Sequence, residues 1–247
     1  VGSVVALTSV AGAISLAKGF SPLLAIVLTL AVGGGIGLLN GMVIGGLRMM
    51  PFIVTLGMMG VARGAAKWLS GSQTVDSPKT PLIDNLMALS EPTRLFPFPR
   101  GVWIVVGLAI VMALVMRETV FGRYIFAIGA NEAAARLSGI RVQLQKVVIY
   151  TVAGIFFGLA GLMQLSRLTQ GDPTVANGLE LDIIAAVVIG GASLSGGTGS
   201  ILGSMIGALI MAVLRNGSNQ MGWPTYMQEI IIGVVIIFAV ALDKLRR

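Results

Sequence analysis

Residues 183–214 read IIAAVVIGGASLSGGTGSILGSMIGALIMAVL, an uninterrupted run without a charged side chain. A helix that crosses a bilayer needs about 20 apolar residues. The run is therefore too long for one span and too short for two complete ones. Its middle, SLSGGTGS at Ser193–Ser200, is rich in turn formers. The reading is two short helices joined by a tight turn. Irregular backbone facing lipid leaves N–H and C=O groups unpaired, so the turn must lie at a membrane edge or be buried in protein. A plain helical hairpin and a functional break fit this pattern equally well.

Working outward, further apolar stretches appear. Val1–Ala17 ends at Lys18, Gly19–Leu47 closes at Arg48, and Met49–Leu69 is interrupted by Arg63 and Lys67. Gly101–Met116 and Val147–Ser166 follow, and Tyr226–Leu242 runs into Asp243, Lys244, Arg246 and Arg247. Ser70–Arg100 is a polar connection that contains Pro78, Pro81, Pro92, Pro97 and Pro99. Charged residues make up 11% of the chain, against about 25% in a soluble domain. The expected fold is all-α: a single polytopic transmembrane helical bundle over 1–247, with short or broken helices around 183–214.

There is no Cys and no His. That excludes thiol nucleophiles, disulfides, Cys/His metal sites and histidine acid–base chemistry. The net charge of +7 sits beside apolar spans, so topology explains it better than nucleic acid does. Val1 already lies in an apolar segment with no charged leader pattern, which reads as a chain lacking its true N-terminus.

The loop 117–146, RETVFGRYIFAIGANEAAARLSGIRVQLQK, carries Arg117, Arg123, Arg136, Arg141 and Lys146 against Glu118 and Glu132. A basic excess in a short loop marks the cytoplasmic side. Alternating outward from it puts Arg48 and the basic C-terminus inside as well. The connections 70–100, 167–182 and 215–229 then fall outside, and together they hold more acidic than basic residues. Within the loop, Asn131–Ile140 (NEAAARLSGI) predicts a short helix, with Ala133, Ala134, Ala135 and Leu137 favouring it and Gly139 stopping it. On the residues alone, a solvated connector is the simpler reading of this helix.

Glycines lie inside the spans. Gly154/Gly158 and Gly203/Gly207 have the four-residue spacing that lets helix backbones approach closely in lipid. There is also a faint internal echo between VGSVVALTSVAGAISL at Val1 and TGSILGSMIGALIMAVL at Thr198.

These residues resemble a family. IFAIGANEAAARLSGI, then Gly178–Gly217, then an apolar span ending DKLRR, are similar to the permease subunit of bacterial ABC importers for ribose and related sugars. Gly37–Gly64 resembles it too, in order along the chain. In that family, further spans precede the equivalent of Val1.

The resemblance implies a transport subunit without its own ATP site, set in the inner membrane. It implies a second permease subunit, two cytoplasmic ATPases that bind the ATP, and a periplasmic sugar-binding protein. Asn131, Glu132, Ala133, Ala134, Arg136, Leu137, Gly139 and Ile140 would form the coupling helix that fits a cleft in the ATPase. No cofactor or metal is expected, and no G-x-x-x-x-G-K-[ST] loop is present. SGGTGS at 195–200 lacks the Lys.

A sugar pathway needs side chains that exchange hydrogen bonds without binding tightly. The polar groups at membrane depth are Asn40, Thr55, Arg63 and Gln164. Each can instead be a satisfied interhelical bond, and Arg63 can snorkel. On the outer face, Asp172, Glu180 and Asp182 are candidates for docking a binding protein. Glu180 and Asp182 also suit the N-terminus of the following helix. Three rivals stay open. One is a related permease for branched-chain amino acids, autoinducers or nucleosides. The others are an ion-coupled carrier and a membrane enzyme. Carboxylates clustered at segment ends count against the ion-coupled carrier.

Overall fold

The computed structural model describes residues 1–87 and 98–245. Pro92, Pro97, Glu91 and Arg94 of the polar connection, and Arg246 and Arg247 of the basic tail, lie outside the described residues. The chain divides into two compact units, Val1–Val106 with Arg141–Asn177, and Gly107–Ile140 with Gly178–Arg247.

The first unit is built from α1 (Gly2–Ala17), α2 (Pro22–Gly46), α3 (Pro51–Ser70), β1 (Val75–Asp76), α4 (Pro81–Met87), the start of α5 (Arg100–Glu118), then α8 (Val142–Leu168) and β2 (Gln170–Gly171). Proline sits at the first position of α2 and α3, where its missing N–H costs nothing. Ser21 caps α2 by accepting from the Leu24 N–H. α1 is apolar all round and buried along most of its length, as such a helix must be. Three of its hydroxyls are satisfied locally: Thr8 donates to the Val4 carbonyl, Ser9 to that of Ala6 and Ser15 to that of Ala11.

The seam of this unit is α2 against α8. Gly33, Gly37, Gly41 and Gly45 face α8, and a Cβ on any of them would strike α8 backbone, from Gly154 and Gly158 at one end to Gln143 at the other. The contacts make α2 and α8 antiparallel. α1 runs parallel to α8, with Thr8 at Gly161 and Val10 at Gly171. One end of the unit thus gathers the ends of α1 and α8 with β1 and β2. The other gathers the end of α2 and the start of α8. The expected use of Gly154/Gly158 is observed.

The second unit holds α6 (Val120–Ala130), α7 (Glu132–Leu137), α9 (Leu179–Ile189), α10 (Ile201–Gln220) and α11 (Thr225–Leu245). The run 183–214 is two helices around a turn, as expected, but of the two only α9 is short: α10 has 20 residues. α9, at 11 residues, rises about 16 Å, roughly half a hydrocarbon core. Gly190 lies backbone on backbone against Gly203, and Gly207 against the Ala186 carbonyl. Ala185, Ala186, Met211 and Ile232 form the core that ties α9, α10 and α11 together.

Among the described residues, α2, α5, α8 and α10 are long and apolar enough to cross a membrane. α1, α6 and part of α11 are shorter apolar helices. The protein is a multi-pass helical membrane protein.

Three features depart from the reading of the sequence. α10 continues past Arg215 to Gln220, where a connection is expected from 215. The polar connection contains β1 and α4. The loop 117–146 contains α6, which starts where Thr119 accepts from the Gly122 N–H and donates to the Val115 carbonyl.

Candidate functional site

α7 is a short, well-specified helix. Asn131 closes α6 and caps α7, its Oδ1 accepting from the Ala134 N–H at 3.0 Å. Glu132 and Arg136 pair one turn apart at 2.9 Å, worth a few tenths of a kcal/mol at such an exposed site. Gly139 adopts φ +83°, the left-handed conformation that ends a helix most cheaply when the residue is glycine. Its N–H reaches the Arg136 carbonyl, and that of Ile140 reaches Ala135.

The helix turns Ala135 inward and leaves Ala133, Ala134 and Arg136 exposed, with Leu137 89% exposed. Ile140 is half-buried. Glu132, Ala133, Arg136 and Leu137 border a shallow open recess. A stiffened helix that presents apolar surface with a charged rim has the composition of a contact surface.

The four polar groups at membrane depth differ in their surroundings. Thr55 spends its hydroxyl on the Pro51 and Phe52 carbonyls of its own helix. Gln164 is half-buried on α8. Asn40 is 9% exposed on α2, and its Oδ1 receives no donor among the described residues.

Arg63 reaches across to the segment after β2, its Nη1 donating to the carbonyls of Pro173 and Val175 at 2.8 Å each. Thr169 just before β2 and Ala176 after it hold positive φ, a cost of about 1–2 kcal/mol each for non-glycine residues. β1 pairs antiparallel with β2, Val75 opposite Gly171 and Asp76 opposite Gln170. Gly171 packs on Val10 of α1. Asp172 accepts from the Thr174 N–H and hydroxyl at 2.7 Å.

Arg63→Met removes two charge-assisted bonds, each worth roughly 1.5–3 kcal/mol. The expected outcome is faster labelling of a cysteine at Thr174 in the inserted protein. Unchanged labelling means that the strands and Gly171 hold the segment without Arg63.

At the start of α9, Asp182 is buried and pairs with Arg215 of α10 at 2.7 Å. The sequence reading gave Asp182 a role at the helix N-terminus and missed this partner. Arg215 can reach Asp182 because α10 extends past it to Gln220. Glu180 lies half-buried in the same first turn.

A multi-pass helical bundle with a capped, exposed helix in a basic loop has the parts of a membrane transport subunit. The chain belongs to the branched-chain amino acid transport system / permease component family, whose model matches residues 1–240. It is similar to the ribose import permease protein RbsC of Escherichia coli (strain K12), 40% identical over 99% of this chain and 76% of the relative. The RbsC of Bacillus subtilis (strain 168) is 41% identical over 99% of this chain and 75% of its own length. The L-arabinose ABC transporter permease protein AraH of Azospirillum brasilense is 34% identical over 100% of this chain and 71% of its own length. No solved structure gives a significant match.

Proposed function

We propose that the chain is the permease subunit of an ATP-driven sugar importer, passing a ribose-like monosaccharide through a pore formed with a second permease subunit. The observation that carries this is α7. It is a capped helix in the most basic loop of a transport-family membrane protein, with Leu137 and two alanines left uncovered. In this reading α7 fits a cleft in a cytoplasmic ATPase, and a periplasmic binding protein delivers the sugar. The chain binds no cofactor and has no ATP site of its own; ATP is held by the ATPase partners. The whole of 1–247 acts as one permease domain, and the partner permease is a second copy.

The relatives' names favour a sugar: ribose import and L-arabinose transport permeases stand among them. Of the four pathway groups, Asn40 alone is both buried and left with an unspent acceptor, so it is the one assigned to the solute. Asp172 and Glu180 serve the outer face. The test is reconstitution in vesicles with the ATPase and binding protein of the same system. ATP-dependent accumulation of labelled ribose or a related monosaccharide is expected. Accumulation of leucine in place of every sugar tried overturns the sugar assignment.

The orientation is inner-membrane, with 117–146 and the C-terminus cytoplasmic. Its support is that Arg48 and Arg141 flank the same end of the first unit, while Asp76 and Asp172 lie at the other. Because the chain has no native Cys, single cysteines report cleanly. Ser138→Cys is expected to label only from the cytoplasm and Thr174→Cys only from outside. Both positions are exposed. Labelling of Ser138→Cys from outside removes both the orientation and the coupling role.

A further inference from the structure

We propose that the Ser193–Ser200 turn is the element through which α7 moves the α9–α10 hairpin. The inference rests on reading α7 as the ATPase contact, and it supplies what that contact acts on. Gly129 and Ala130 end α6 and immediately precede Asn131, the cap of α7. They are seated in the turn. A Cβ on Gly129 would stand 2.6 Å from the Gly197 nitrogen, and one on Gly197 would stand 2.8 Å from the Ala130 Cα. Gly196 meets the Gly129 carbonyl in the same way. The contact is peptide backbone on peptide backbone. No side chain lies between that can change rotamer and absorb a displacement, and close-packed contacts of this kind transmit strain.

The turn is stiff. The Ser193 N–H bonds the Thr198 carbonyl at 3.1 Å, and the Gly196 N–H bonds the Ser193 carbonyl at 3.1 Å. Ser200 then caps α10 by accepting from the Gly203 N–H at 3.0 Å. Beyond it the hairpin is locked by the Gly190–Gly203 and Ala186–Gly207 backbone contacts and closed at its far end by Asp182–Arg215. Within α7 the buried side chain is that of Ala135, so the helix is carried chiefly on its base. A push on α7 passes through Gly129–Ala130 into the turn, and the hairpin moves with it as one body.

The test uses the full subunit assembled with its ATPase partners. Gly129→Val forces the contact apart. The expected result is retained ATPase capture and continued ATP hydrolysis, with uptake falling roughly tenfold or more. Unchanged uptake, or lost capture, overturns the proposal. Ala134→Glu separates the two claims. If it leaves ATPase capture intact, the reading of α7 fails and the transmission role falls with it. If it abolishes capture while Gly129→Val leaves uptake normal, only the transmission role fails.

Discussion

Replacing Ala134 by Glu is expected to abolish capture of the ATPase subunits while leaving α7 folded. Ala134 is the third residue of α7, and its N–H is the one bonded by the Asn131 cap. Glu is favoured at that position, both by the helix dipole and by its reach back to the cap. The substitution therefore does not damage the helix it tests. Ala134 is exposed in the isolated chain, so any loss must come from what covers it in the complex. Burying an unpaired carboxylate there costs about 3–5 kcal/mol, on the order of a hundred-fold or more in affinity.

Leu137→Asp is expected to act in the same direction, since that side chain is 89% exposed and contributes little to the fold. Gly139→Val tests shape instead of charge. Nothing stands near its Cβ, yet its φ is +83°, so the valine is strained by about 1–2 kcal/mol without any clash. The measurement is co-purification of the ATPase with each variant, followed by ATP-dependent uptake. Normal capture and uptake in all three variants reduces the loop to a connector.

The helical membrane fold was legible because most spans carry their own signal, an uncharged run of sufficient length that ends at a charged residue. The α9–α10 break was legible from SLSGGTGS, because three of its glycines adopt positive φ and no other residue does so as cheaply. α7 was legible from Ala133, Ala134, Ala135, Leu137 and Gly139, whereas its Asn131 cap was not read from the sequence.

α6 was not, because its apolar residues share 11 positions with Arg123 in a loop dominated by basic charge. Length and hydropathy alone cannot distinguish a half-span helix from a loop. The candidate pathway residues were found by polarity at membrane depth, and that criterion cannot see partners distant in sequence. Arg63 shows the limit most clearly. The sequence shows it as a charge in a span, and it donates to carbonyls 110 and 112 residues away. Asp182 and Arg215 repeat the lesson, since an ion pair across a hairpin depends on a register that only packing sets.

Gly154→Leu is expected to prevent the first unit from assembling, whereas Gly35→Ala is expected to be harmless. Both exchange a helical glycine in the same helix pair, so composition and propensity do not distinguish them. In an exposed helix interior, alanine is favoured over glycine by about 0.8–1 kcal/mol, and Gly35 has nothing within 4 Å of its Cβ position. Its replacement should leave stability unchanged or slightly raised.

Gly154 is opposed by the Gly33 carbonyl and by the Gly37 backbone. Those atoms belong to the peptide chain of α2 and have no rotamer to yield, so even one methyl group must push the helices apart. Separating them also opens the neighbouring crossings, where Gly37 lies on the Tyr150 carbonyl and Gly41 on Val147. Overpacking at a single side chain typically costs about 1–3 kcal/mol. Here several backbone contacts are lost together, in a setting where close packing and not the hydrophobic effect holds helices in contact.

Gly154→Ala is expected to lower the temperature at which the detergent-solubilised protein loses its monodisperse peak, and Gly154→Leu to leave no such peak. If Gly154→Leu gives a peak as stable as that of Gly35→Ala, then α2 and α8 do not meet backbone to backbone, and the register that places Thr8, Gly161 and the β1–β2 pair at one end loses its basis.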